Sequence, residues 1–207
     1  LFNELPRPTF RWLRVNHTVS SLAGEDTAVQ SIAVEANKDI LSPLPVGTAL
    51  LDGNYEGANK EAVHVLVEKA EGYAINVPPK AKEVVGIRID ANARVANRFQ
   101  FIVGEGAELE VQFYVTGSGD ALTNVSYLNE YDVKEAGKVV VKKVNLLPEH
   151  VQHIEHRYTK LEEKADVEYI NIEIGGSENI LNYYHDLVGQ ESRMVHDITY
   201  LGNKEQK

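Results

Sequence analysis

The chain has 207 residues, no cysteine, 43% apolar residues and a formal net charge of −10. A chain of that length can bury a core large enough to fold without staples. The missing thiols exclude a disulfide framework, a cysteine nucleophile and thiolate-held zinc or iron–sulfur sites in this chain. An acidic protein repels a phosphate backbone unless its basic residues cluster. Here the densest stretch, Lys138 to Lys143, interleaves three lysines with valines and reads as an alternating strand.

No run approaches the ~18 apolar residues of a membrane span. The opening, Leu1-Phe2-Asn3-Glu4-Leu5-Pro6, lacks the basic and apolar regions of a signal peptide, so the expected location is cytoplasmic. The sequons Asn16-His17-Thr18 and Asn124-Val125-Ser126 matter only in an exported protein. Two parts are expected: a mixed α/β N-terminal part over 1–85, and a β-helix core over 86–207.

The first part opens on Pro6 and Pro8, continues through Ile32-Ala33-Val34, and then enters a loop-rich stretch holding Pro43, Pro45 and Gly47. Glu61 to Ala70 carries Ala62, Val65, Leu66 and Ala70 at helix-compatible spacing, with Gly72 as the candidate C-cap. Tyr73 to Val77 then reads as a strand ended by Pro78-Pro79, where ladder donors are lost.

From Val84 the period changes to two. Ile87 and Ile89, then Phe99, Phe101 and Val103, then Leu109, Val111, Phe113 and Val115 alternate with polar residues, as strands with one buried face do. The pattern continues through Val139, Val141, Val167, Tyr169, Ile172, Ile174, Ile198 and Tyr200.

A repeat runs through this region: an acidic or Gly-containing turn, a small residue, then apolar residues two and four places on. The small residues are Ala107, Gly137, Ala165 and, more weakly, Ser192, at steps of 30, 28 and 27 residues. Self-similarity at that period marks a stack in which each unit buries its apolar face only against its neighbours. One coil of a β-helix fits the step; evenly spaced hairpins of a β-sandwich are the alternative.

Tyr73-Ala74-Ile75-Asn76-Val77-Pro78-Pro79 followed by Gly86-Ile87-Arg88-Ile89 resembles a segment of the SufB/SufD family, with Gly86 where that family usually has proline. Arg98-Phe99-Gln100-Phe101-Ile102-Val103-Gly104-Glu105-Gly106-Ala107 is similar to the family's strand running into Gly-Glu-Gly-Ala. Leu161 to Ala165 resembles a later coil, and Leu5 to Leu13 resembles the start of short members. The resemblance spans roughly residues 60–207 and rests on structural turns, none of them catalytic. It implies a right-handed parallel β-helix in Suf-type iron–sulfur cluster assembly, with a SufC-like ABC-type ATPase and a SufB/SufD-type chain as partners. The family's docking helices and its cluster-building Cys and His residues lie further toward the C-terminus, so no functional residue is carried over. The expected solenoid is incomplete at its C-terminal end, Gly202 to Lys207, and its open end implies a homo- or hetero-oligomer. No cofactor is expected in this chain, and an iron–sulfur cluster only in the full complex.

His150, His153 and His156 are the candidate metal ligands. On a helix the three imidazoles share a face, whereas on a strand His153 points away from the other two. No carboxylate or cysteine spacing completes the set, so surface or stacked histidines are the plainer reading. His185-Asp186 and His196-Asp197 invite a histidine–carboxylate pair, but neighbours on a strand face opposite ways. Ser192 lacks a nucleophile-elbow pattern, and Gly117-Ser118-Gly119-Asp120 lacks the remainder of a phosphate loop. Tyr183, Tyr184 and Tyr200 read as stacked flank residues, and Glu108, Glu110, Glu162 and Glu163 as solvated faces. The expectation is therefore a non-catalytic assembly scaffold. The alternatives are a β-helical or β-sandwich binding module for carbohydrate or another small ligand, and a metal-dependent enzyme on the histidine cluster.

Overall fold

The computed structural model describes residues 32–51, 55, 60–92, 94–118 and 123–202. The opening at Pro6 and Pro8, the Leu5–Leu13 resemblance, Asn16, Gly119-Asp120 and the end from Asn203 lie outside the described residues.

Ten strands form the coils: β3 (Gly72–Val77), β4 (Lys82–Asp90), β5 (Val95–Val103), β6 (Glu108–Thr116), β7 (Thr123–Val133), β8 (Lys138–Leu147), β9 (Val151–Leu161), β10 (Asp166–Gly175), β11 (Glu178–Leu187) and β12 (Arg193–Leu201). Alternate strands pair in parallel, so the even strands β4 to β12 make one sheet and the odd strands β3 to β11 the other. Each coil thus contributes one strand per sheet, which is a two-sheet β-solenoid. Lys82, Glu108, Lys138, Asp166 and Arg193 occupy one column, giving coil steps of 26, 30, 28 and 27 residues. The last three are the steps of the sequence repeat, which extends one coil further back, to Ala81.

The repeat is a stacked turn. The amide of each small residue donates to the carbonyl three residues before it: Ala81 to Pro78, Ala107 to Gly104, Gly137 to Lys134, Ala165 to Glu162 and Ser192 to Gly189. The third residue of each turn, Lys80, Gly106, Ala136, Lys164 or Glu191, has φ between 54° and 63°. That combination is a type II turn, in which a left-handed third residue is required. The turns are also bonded to one another. The Lys80, Gly106, Ala136 and Lys164 amides donate to the Glu105, Glu135, Glu163 and Gln190 carbonyls. A large side chain at Ala107 or Ala165, both 0% exposed, has nowhere to go.

The N-terminal end of the stack is closed by antiparallel strands, β1 (Ile32–Glu35) on β4 and β2 (Leu41–Leu44) on β3. Pro43 sits within β2, which the edge position permits because, among the described residues, no further strand needs its missing donor. Between these strands and β3 lies the helix α1 (Lys60–Lys69), where the 3.6 period predicts it. Gly72 is not its cap: it opens β3, and a Cβ there would lie 2.0 Å from the Arg98 carbonyl oxygen of the next coil. Close backbone approach, not a left-handed helix end, is why this position is glycine.

The core runs along the axis as stacked apolar columns from Ile75 and Val85 to Val167 and Tyr169. Phe101 and Tyr131 stack on adjacent coils with ring centroids 4.5 Å apart. Such pairs add about 0.5–1.5 kcal/mol beyond area burial. One expected phase is corrected. Ile172 and Ile174 lie out of step with the buried Val167 and Tyr169, and it is Asn171 and Glu173 that are buried. The strand keeps its alternation, and the polar residues go inside because partners wait there.

Candidate functional site

Alternation assigns the inward positions of three adjoining strands. They are Val139, Val141, Lys143, Asn145 and Leu147 on β8; Val151, His153, Glu155, Arg157, Thr159 and Leu161 on β9; and Val167, Tyr169, Asn171 and Glu173 on β10. On β8 and β9 the ends of the run are apolar and the middle is polar or charged, whereas on β10 the run passes from Val167 and Tyr169 to the polar Asn171 and Glu173. Parallel register therefore stacks polar middles on polar middles, and the facing sheets bring opposite charges together.

Lys143 is the hub. Its ammonium bonds Glu155 Oε2 from β9 and pairs with Glu173 Oε1 from β10. Glu155 Oε1 accepts from Arg157 Nε at 3.0 Å, Arg157 Nη2 at 2.5 Å and Asn129 Nδ2 at 2.9 Å. The Tyr183 hydroxyl donates to Glu155 Oε2 at 3.0 Å, and Asn145 Nδ2 donates to Glu173 Oε2 at 2.9 Å. The Arg157 guanidinium lies between two rings, 4.2 Å from the Tyr169 centroid and 4.4 Å from that of Tyr183. None of Lys143, Glu155, Arg157 and Glu173 is more than 1% exposed.

Ion pairing governs the protonation here. Burial pushes the Glu155 carboxyl upward, but Arg157 and then Lys143 outweigh it and hold it well below the usual carboxylate range. Burial, reinforced by Lys143, pushes the His153 imidazole down to about 4. Burial raises Tyr183 well above its ordinary value, reinforced by Glu155. The set thus joins two cations to two carboxylates, bridged coil to coil and sealed from solvent. Such a group holds strands in register. Its charged groups are buried, so it presents no exposed base.

The histidine triplet does not converge. His150 precedes β9, His153 points into the solenoid and His156 lies on the other face of the same sheet. His153 is hydrogen-bonded through both ring nitrogens, Nε2 to the Tyr127 hydroxyl at 2.9 Å and Nδ1 to Asn145 and Asn179 at 3.1 Å each. Burial pushes His156 down to about 4, and its Nδ1 meets Asn182. His185 and His196 come together instead, ring centroids 6.0 Å apart, with Tyr169 and Tyr183 beside them. Burial and then Arg157 push both to about 4. Among the described residues no three His, Asp or Glu side chains form a metal-holding group.

The remaining candidates have structural surroundings. The Ser192 hydroxyl bonds the Gly189 carbonyl of its own turn, and Ser118 bonds Asn92. Glu108 and Glu110 face outward and pair with Lys82 and Lys142; Glu162 and Glu163 pair with Lys134 and Lys164. A groove of about 350 Å³ lies on the outer face of the even-strand sheet, beside Glu35, Gly86, Arg88, Tyr114 and Lys142. No described helix is long and apolar enough to cross a membrane.

Sequence reasoning missed Lys143, Glu155, Arg157 and Glu173. Their signal was present: each stands in phase with the buried residues of its own strand, and the phases carry opposite charges. Only the cross-coil register tells which face is inside.

A family model described as SUF system FeS cluster assembly, SufBD core domain, matches residues 87–207, more than half of the chain, from the middle of β4 through the later coils. No curated protein and no solved structure matches the chain.

Proposed function

The chain belongs to the SufBD core-domain family of the SUF system for FeS cluster assembly, and from that premise we propose that it is a non-catalytic scaffold acting through protein–protein contacts. In this reading residues 86–207 are the working core and the part up to residue 85 packs against it. One observation carries the reading: the charged groups inside the solenoid are committed to one another, Lys143 to Glu155 and Glu173, and Arg157 to Glu155. A core occupied in this way holds coils in place and leaves the work to the outer surfaces. The partners proposed are a SufC-like ABC-type ATPase and a SufB/SufD-type chain, with the iron–sulfur cluster as cargo of the complex.

The test is a pull-down from native extract with two tagged baits, this chain and its full open reading frame. Recovery of an ABC-type ATPase or a SufB/SufD-type chain by either bait supports the scaffold. If neither bait brings down either partner, the scaffold reading fails.

A further inference from the structure

The outward face of β5 and β7 carries a second buried polar group, separate from the interior one. Arg98 and Glu130 alternate with core residues and so point away from the solenoid axis, yet both are 0% exposed. They are tied to α1 and to the 45–51 loop. Arg98 Nη1 donates to the Val67 carbonyl at 3.0 Å, and its other terminal nitrogen donates to the Thr48 carbonyl. Gln100 Nε2 donates to Thr48 at 3.2 Å and to Glu130 Oε2 at 2.9 Å. Glu130 Oε1 accepts from the Leu50 amide at 3.2 Å and from the Tyr55 hydroxyl at 2.5 Å. The Gly47 amide closes the unit on itself by donating to the Val67 carbonyl at 2.6 Å.

Three properties set this attachment apart from the coils. Its apolar contacts form their own cluster, Val63, Leu66, Val67 and Ala70 with Tyr55 against Leu128 and Tyr158, detached from the axial core. Neither α1 nor the described part of the loop shares a strand ladder with β5 or β7. The ties to the loop and helix run mainly to main-chain atoms of Thr48, Leu50 and Val67, which water can satisfy equally well once the unit lifts. Arg98 and Glu130 then regain hydration, which offsets the bonds they lose. A ten-residue helix off its surface is below the length that holds in water alone.

We propose that α1 with the 45–51 loop is a clamp that undocks as one unit while the coils stay folded, and that Arg98 and Glu130 are its latch. Opening lays bare Arg98, Gln100, Leu128 and Glu130 on the outer face of β5 and β7. The inference does not depend on the scaffold reading.

Native-state hydrogen exchange of the full chain over a series of low denaturant concentrations tests it, for the wild type and for Tyr55→Phe and Glu130→Gln. The α1 amides from Val63 to Val67 are expected to exchange through an opening that depends weakly on denaturant, below the global isotherm followed by β7 and β9. Tyr55→Phe removes one hydrogen bond to a charged acceptor, so α1 exchange accelerates about tenfold or more at an unchanged denaturant slope. Glu130→Gln acts in the same direction. The proposal is overturned if the α1 amides share one isotherm with β7 and β9, or if Tyr55→Phe leaves their exchange unaltered. Because the readout is exchange and not partner capture, failure here leaves the pull-down result untouched.

Discussion

Replacing Lys143 by methionine keeps the stem and deletes the ammonium that Glu155 and Glu173 share. Glu155 retains Arg157, Asn129 and Tyr183, so the cost falls on Glu173, which is left with Asn145 at 2.9 Å. Breaking a buried pair from one side costs about 3–5 kcal/mol, because the other charge stays desolvated. Against a total stability of about 5–15 kcal/mol that is a large fraction. At roughly 2–4 °C per kcal/mol for a chain of this size, the melting midpoint falls by about 6–20 °C. The assay is urea unfolding followed by far-ultraviolet circular dichroism, on Lys143→Met, Glu173→Gln and the double variant. The double variant is expected to be clearly less destabilised than the two singles added together, since a neutral amide in place of the Glu173 carboxylate strands no charge. Lys143→Met within about 0.5 kcal/mol of wild type, below the usual scale of a buried-pair loss, refutes the reasoning, and so does simple additivity.

Stability should also fall between pH 6.5 and pH 4. His153 and His156, both fully buried, have folded values near 4, below their unfolded value, so what they contribute is complete above about pH 6.5 and is lost as the unfolded chain takes up protons. At pH 5 each costs roughly 2 kcal/mol, with smaller shares from the more accessible His185 and His196; a urea midpoint flat from pH 7 to pH 5 contradicts this. Gly106→Val should cost about 1–2 kcal/mol from left-handed strain alone, because an added Cβ there meets only Lys80 Cγ at 3.7 Å. A variant as stable as wild type shows that the turn can relax. Glu108→Gln removes a solvent-exposed partner of Lys82 and should leave the unfolding midpoint where it is; a clear drop means that the outer charge column bears more than its exposure suggests.

Several features were legible from the residues alone, for a local reason. A type II turn needs a left-handed third residue and a tight exit, and those demands are written into four consecutive positions each time the chain turns. Gly104 to Ala107, Lys134 to Gly137 and Glu162 to Ala165 therefore announce the coil length, and period-two alternation announces the strands between them. The helix over Lys60–Lys69 was legible on the same ground, one residue out of register with the expected start at Glu61.

What the tertiary structure decided is which side of each strand is inside once polar residues occupy the inward phase. Lys143 reads only as one of three lysines in an alternating strand, and Ile172 and Ile174 read as core, because alternation marks two faces without naming them. The choice is made by partners on other strands, at least 12 residues away in sequence: Glu155 and Glu173 for Lys143. Desolvating a charge is unfavourable unless its counter-charge arrives in the same act of folding. For Lys143 that pairing exists only when the coils are stacked, and its own strand does not contain it.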